Sequence, residues 1–250
     1  MFHRTLHRSH LRPTPSARFW PRTWPWLLMA ASLMLPFGGP ARSHGGEEIV
    51  FADDFDAGLS SRWDLTGVRA EDYRLRDGGL ELRVQPGKLT SETPVLRVAL
   101  PQPTPEDLVA SVEVTVLDPF TEPEEMAGLF LTTNGRPELG VRKQQLDGRL
   151  MLAPGQPEFL GKPGEEGDPH RYAWRYWPAT SDTGPLRIIV RNHVAFLQTG
   201  PNVRGAYLNL FHSAVTQHPR QRGFALVAAG GPSHEHHWVR FDHVRIWREK

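Results

Sequence analysis

The feature that most constrains this chain is a succession of short alternating segments, each closed by turn chemistry. In Ser111-Val112-Glu113-Val114-Thr115-Val116 every second residue is apolar, and Leu80-Glu81-Leu82-Arg83-Val84 repeats the pattern after Asp77-Gly78-Gly79. Successive side chains of a strand point to opposite faces, so such segments bury one face each. Segments 140–143 and 150–152 flank Asp147-Gly148, and segments 186–190 and 194–197 flank Asn192-His193. Both pairs read as hairpins, because tight two-residue turns demand residues that tolerate positive φ. Segments 126–131, 224–227 and 239–247 complete the set. A 3.6-residue period is never sustained beyond two turns, although residues 104–109 allow one short helical turn. The 23 glycines and 23 prolines supply turns without any collagen-like period. The expectation is therefore an all-β sandwich or barrel of ten or more strands. No internal repeat points to a propeller or solenoid.

The charge is unevenly divided. Residues 1–43 carry six arginines and no acid, whereas the remaining 207 residues carry 23 basic and 28 acidic groups, a net of −5. Within the basic leader, residues 24–39 (WPWLLMAASLMLPFGG) are apolar, and Ala41-Arg42-Ser43 follows with small residues at the spacing of a cleavage site. A basic stretch, an apolar core and a small-residue site make a secretory signal over residues 1–43. The apolar run falls short of the roughly 20 residues a spanning helix needs. The expected product is an exported domain, residues 44–250, periplasmic or extracellular, with no membrane span.

Several chemistries are excluded at once. With no cysteine the chain has no disulfide framework and no thiol catalysis. The acidic balance of residues 44–250, with no basic stripe interleaved with aromatics, argues against nucleic acid. Phosphate-cradling glycine loops, nucleophile elbows and metalloprotease histidine spacings are missing.

The ends of the domain carry a family resemblance. The opening FADDFDAGLSSRW, the following LRDGGLELRV and the closing WVRFDHVRIW resemble the concanavalin A-like lectin/glucanase superfamily. They are similar to laminarinase-type glycoside hydrolases, to the accessory domains of xylosidases and to 3-keto-disaccharide hydrolase-like exported domains. AGLFLTTNGRPELGVRK looks like a central strand pair of the same fold. The resemblance implies a jelly-roll sandwich of two antiparallel curved sheets. The first and last strands would then be adjacent, and an oligo- or polysaccharide would lie on the concave sheet. Asp242-His243 interrupts the alternation between Phe241 and Val244, and a bulge there would return Val244 to the core. The resemblance also implies a structural calcium held by the backbone carbonyls of Asp54 and Gly78 and by Asp242. Calcium accepts carbonyl and carboxylate oxygens alike, and the alternative is a hydrogen-bonded strand edge.

Candidate ligand residues follow. Tyr172, Trp174 and Tyr176 alternate onto one face and Arg175 with Trp177 onto the other; one face is core and the other a platform for pyranose rings. Arg142, with Lys143, Gln144 and Gln145 beside it, either hydrogen-bonds sugar hydroxyls and anions or forms a solvated strand face. The ligand set expected is Trp174, Tyr172 and Arg142. His234-Glu235-His236-His237 follows a Gly-Gly-Pro-Ser loop and reads as a solvated loop, a weak metal site or a groove rim. The Glu-x-Asp-x-x-Glu strand of laminarinase-type enzymes is absent, and Glu122-Pro123-Glu124-Glu125 reads as a charged loop. A carbohydrate-binding domain leads, and a glycan-cleaving hydrolase of the 3-keto-disaccharide hydrolase-like type is the alternative.

Overall fold

Four two-residue turns organise the chain. Asp77-Gly78, Asn134-Gly135, Asp147-Gly148 and Asn192-His193 all have positive φ at both residues, the condition for type I′ hairpins whose twist matches that of the strands they join. The computed structural model describes residues 46–89, 93–102, 107–156, 176–200, 205–217 and 219–249. Ser43–Lys250 forms one compact unit.

The described strands are β1 (Glu48–Asp53), β2 (Trp63–Asp64), β3 (Tyr73–Arg76), β4 (Gly79–Arg83), β5 (Gln85–Pro86), β6 (Leu96–Ala99), β7 (Leu108–Val116) and β8 (Met126–Thr133). They continue as β9 (Arg136–Leu146), β10 (Arg149–Gly155), β11 (Trp177–Pro178), β12 (Thr183–Arg191), β13 (Val194–Thr199), β14 (Leu208–Ala214), β15 (Arg222–Gly231) and β16 (Trp238–Arg248). A single 3₁₀ turn, Ala70–Asp72, is the helical element among the described residues. Leu108 and Val109, placed by the sequence in a possible helical turn, instead open β7. Their side chains are buried, and continuing the strand pairs them with β12.

The first sheet runs β14-β13-β12-β7-β16-β4-β3 with β1 also on β16; the second runs β11-β10-β9-β8-β15-β6-β2 with β5 also on β15. Pairing is antiparallel except for the short β5, which lies parallel to β15. The first and last strands are neighbours, as the resemblance implied: Phe51 faces Ile246 and Asp53 faces Val244. Residues 238–241 of β16 pair with β4, and 244–248 pair with β1. The register against β7 slips between Asp242 and Arg245, His243 takes φ 52°, and Val244 is 2% exposed. The bulge at Asp242-His243 therefore lies where β16 changes partner, and it keeps both Phe241 and Val244 in the core.

The inward faces of the two sheets build the core, with Val112, Val114, Ile188 and Phe241 from the first and Leu129, Val141 and Leu226 from the second. Each such side chain contributes about 1.5–3 kcal/mol relative to exposure. The second sheet departs from a one-face-buried pattern. β8 and β15 are buried almost end to end, and Met126, Phe130, Ala225, Val227 and Ala229 form a second apolar cluster with Leu89 and Val95. The chain between β5 and β6 thus packs on part of the outer face of this sheet. A strand covered on both sides reads as a continuous apolar run, and that is how β15 reads.

Candidate functional site

The outer face of the second sheet changes character at β9. Val141 and Lys143 point into the sandwich, which puts Arg142 and Gln144 on the other face. Lys143 sits between the sheets and donates its Nζ to the carbonyls of Val114 at 3.0 Å and Ser181 at 3.2 Å, and to that of Asp182. Burial pulls its pKa down to about 8, with Asp182 and Glu113 opposing. Neither alternative stated for the Arg142-Lys143 pair describes Lys143. It is a tie between β9, β7 and the turn before β12, and it touches no outer surface.

Arg142 is also 2% exposed. Its Nε donates to Gln144 Oε1 at 3.1 Å, while its Nη1 has no partner. Among the described residues no carboxylate pairs with it. Burial lowers its pKa to about 10, with Tyr176 opposing. Its cross-strand neighbours are small, Gly128 on β8 and Ala153 on β10. A side chain at Gly128 would run into the Val141 carbonyl and the Cα and Cβ of Arg142, so the glycine lets β9 approach β8 closely at this point. Tyr176 precedes β11, whose Trp177 lies opposite Leu152 and packs on the core. Tyr176 and Trp177 thus divide between the outer and inner sides, as alternation of the aromatic segment predicts. Tyr172 and Trp174 lie outside the described residues.

The corner expected to hold calcium is held together by side chains. Arg240 Nε donates to both oxygens of Asp242, at 3.1 and 2.9 Å, and its Nη2 donates to the Asp77 carbonyl at 2.6 Å. Arg240 Nε and Asp242 Oδ1 lie against the Cα of Gly79, and Asp56 Oδ1 lies against that of Gly78. Asp54 is exposed. A guanidinium therefore bonds both oxygens of Asp242, the one side-chain ligand in the expected calcium set. Among the described residues no group of three or more His, Asp or Glu side chains is arranged to hold a metal.

The neighbouring Asp53 carries a role that sequence reasoning did not assign. Its Oδ1 accepts from the Phe55 backbone N–H at 3.0 Å, and its Oδ2 accepts from the Ser60 N–H at 3.0 Å and Trp63 Nε1 at 2.8 Å. Trp63 meets Phe51 edge-on, with ring centroids 5.1 Å apart. Phe55 is held at φ 62°, an unusual conformation for a bulky residue, by this network. The signal was available, because Asp53 stands two residues after Phe51 and so shares its inward face.

The histidine segment divides. His234 and His236 are exposed, but His237 is 8% exposed and its Nδ1 lies 2.6 Å from Oε1 of the wholly buried Glu125. The other Glu125 oxygen accepts from the N–H groups of Thr121 and Glu122 at 2.8 and 3.3 Å. The acidic run is thus no uniformly solvated loop, since its last residue ties the start of β8 to the start of β16. With both oxygens engaged, Glu125 is a structural acid.

What this arrangement defines is a two-sheet all-β sandwich with a buried polar cluster on one outer face. No protein-family model matches the chain, and no curated protein matches it. Solved structures do. A xylan β-1,4-xylosidase from Bacillus halodurans matches at a TM-score of 0.60 and 13% identity over 79% of this chain and 39% of its own. The Bacteroides ovatus xyloglucan PUL GH43B protein matches at 0.57 and 15% identity, over 80% and 39%. The CBM2 module of the evolved Dit of Lactobacillus casei BL23 phage J-1 matches at 0.52 and 10% identity, over 82% of this chain and 97% of that module. The chain spans about two fifths of the GH43-type proteins it resembles. At these identities the likeness is one of fold. Among the described residues no helix is long and apolar enough to cross a membrane.

Proposed function

We propose that this chain is an exported carbohydrate-binding domain that takes saccharide on the outer face of its second sheet, around Arg142, Gln144 and Tyr176. The observation that carries the reading is Arg142, a buried guanidinium with an unpartnered Nη1 and, among the described residues, a neutral acceptor at its Nε. Buried donors are ordinarily satisfied, and the exceptions cluster where a ligand completes them. The match in fold to a CBM2 module over nearly its whole length is in line with a binding role. Tyr172 and Trp174 supply stacking faces for pyranose rings. The likeness to the xylan β-1,4-xylosidase extends over 39% of that chain, and this sequence lacks the Glu-x-Asp-x-x-Glu spacing of laminarinase-type enzymes.

Calorimetry of the mature domain against a panel of plant and bacterial glycans tests this. Trp174→Ala and Tyr172→Ala are expected to weaken binding about tenfold each, the worth of a stacked ring. No heat from any glycan would sink the reading. Release of reducing ends would transfer the chain to the hydrolase alternative. Export is checked by fractionating cells that express the whole chain, where loss of a fragment ending near Ser43 is the expected result.

At the β1–β16–β4 corner we read the resident cation as the Arg240 guanidinium in place of calcium. Melting curves with and without a chelator are expected to coincide, and Arg240→Ala is expected to lower Tm. A chelator-induced fall in the Tm of the unmodified protein, or stoichiometric calcium by elemental analysis, would restore the metal.

A further inference from the structure

We infer that the saccharide taken at this face is acidic, and that Arg142 pairs with its anion, a uronate carboxylate or a sulfate ester. The inference rests on the saccharide reading and deepens it. Its basis is a comparison among the cations of the fold. Arg74 pairs with Glu81, Arg83 with Asp72, Arg187 with Glu249 and Arg240 with Asp242, while the buried Arg222, whose Nη1 is also unpartnered, donates to the Thr216 carbonyl and has Glu138 near it. Lys143, the other deeply buried cation of β9, is closed off by three backbone carbonyls. Arg142 is buried as deeply as Lys143 and has neither a counter-charge nor a full set of acceptors among the described residues.

The chemistry around it selects for an anion. Gln144 commits its carbonyl oxygen to Arg142 Nε, so the rest of its side-chain amide is a donor. The Tyr176 phenol is a donor as well. The cluster thus offers a guanidinium edge, an amide and a hydroxyl without a carboxylate of its own. Neutral sugar hydroxyls would fill hydrogen bonds and leave the charge uncompensated. A carboxylate or sulfate does both, forming a charge-assisted bond with the unpartnered Nη1. A buried unpaired cation costs several kcal/mol, which gives an incoming anion a large advantage over a neutral ligand.

The test uses matched pairs of glycans with the mature domain: polygalacturonate against its methyl ester, and a sulfated galactan against the desulfated polymer. The acidic member of one pair is expected to bind at least about tenfold more tightly, as a charge-assisted pair implies, and its affinity is expected to fall as salt rises. Which pair responds tells uronate from sulfate. Arg142→Met should abolish the preference, and Arg142→Lys should restore part of it. If the Met variant does not fold, the ester and desulfation comparisons on the unmodified protein still decide. Equal binding to acidic and neutral members, or an Arg142→Met variant that keeps the preference, overturns the anionic inference and leaves the saccharide reading standing. Failure to bind any member of either pair or any glycan of the wider panel overturns the saccharide reading itself.

Discussion

Asp53→Ala is expected to cost about 3–4 kcal/mol of stability, because it strands three donors inside the opening loop. The Phe55 and Ser60 N–H groups and Trp63 Nε1 all point at this one carboxylate. For a domain of this size the loss corresponds to a fall in Tm of roughly 10 °C. Asp53→Asn keeps an acceptor oxygen and should lose about half as much. Its neighbour provides the control: Asp54 is exposed, and Asp54→Ala should stay within about 0.5 kcal/mol of the parent. Denaturant unfolding with unchanged m-values reads all three variants. Equal midpoints for the Asp53 and Asp54 alanine variants would sink the account of this loop.

Lys143 is expected to make the domain more stable as pH rises above 8. Its folded pKa is about 8, against an ordinary value of 10.5 in the unfolded chain. Below pH 8 both states hold the charge, and the folded state bears the full cost of burying it. Between about pH 8 and 10.5 the unfolded chain binds more protons, so stability climbs with pH, by about 3 kcal/mol across the window. Other groups titrate there too, and the informative quantity is the difference between the protein and Lys143→Met. That difference should be flat below pH 8 and rise towards pH 10.5. A difference that stays level from pH 7 to 11 would show that the ammonium is not desolvated as its position between the sheets requires.

These two residues also show where local reasoning stops. Alternation in β7 and β9, and the turn pairs Asp147-Gly148 and Asn192-His193, were legible because side-chain period and turn conformation depend on adjacent residues alone. The bulge at Asp242-His243 was legible for the same reason, since a break in period two has to be absorbed within the strand. Asn134-Gly135 carries the same signature, between β8 and β9. Arg142 and Lys143 were taken together, and alternation already separates them. What alternation leaves open is which of the two finds acceptors.

The chain by itself determined an all-β architecture, its main hairpins and the lack of a Glu-x-Asp-x-x-Glu spacing. Those properties live in spacings of a few residues. Tertiary structure alone decided that Asp53 is the hub of the opening loop. It likewise decided that Arg240 neutralises Asp242, that Glu125 is a buried partner of His237 and that Arg142 is buried without a counter-charge. Each of these depends on groups between 2 and 112 residues away in sequence. Only the closing of two sheets over one another determines which polar atoms lose water and which partners they find in its place.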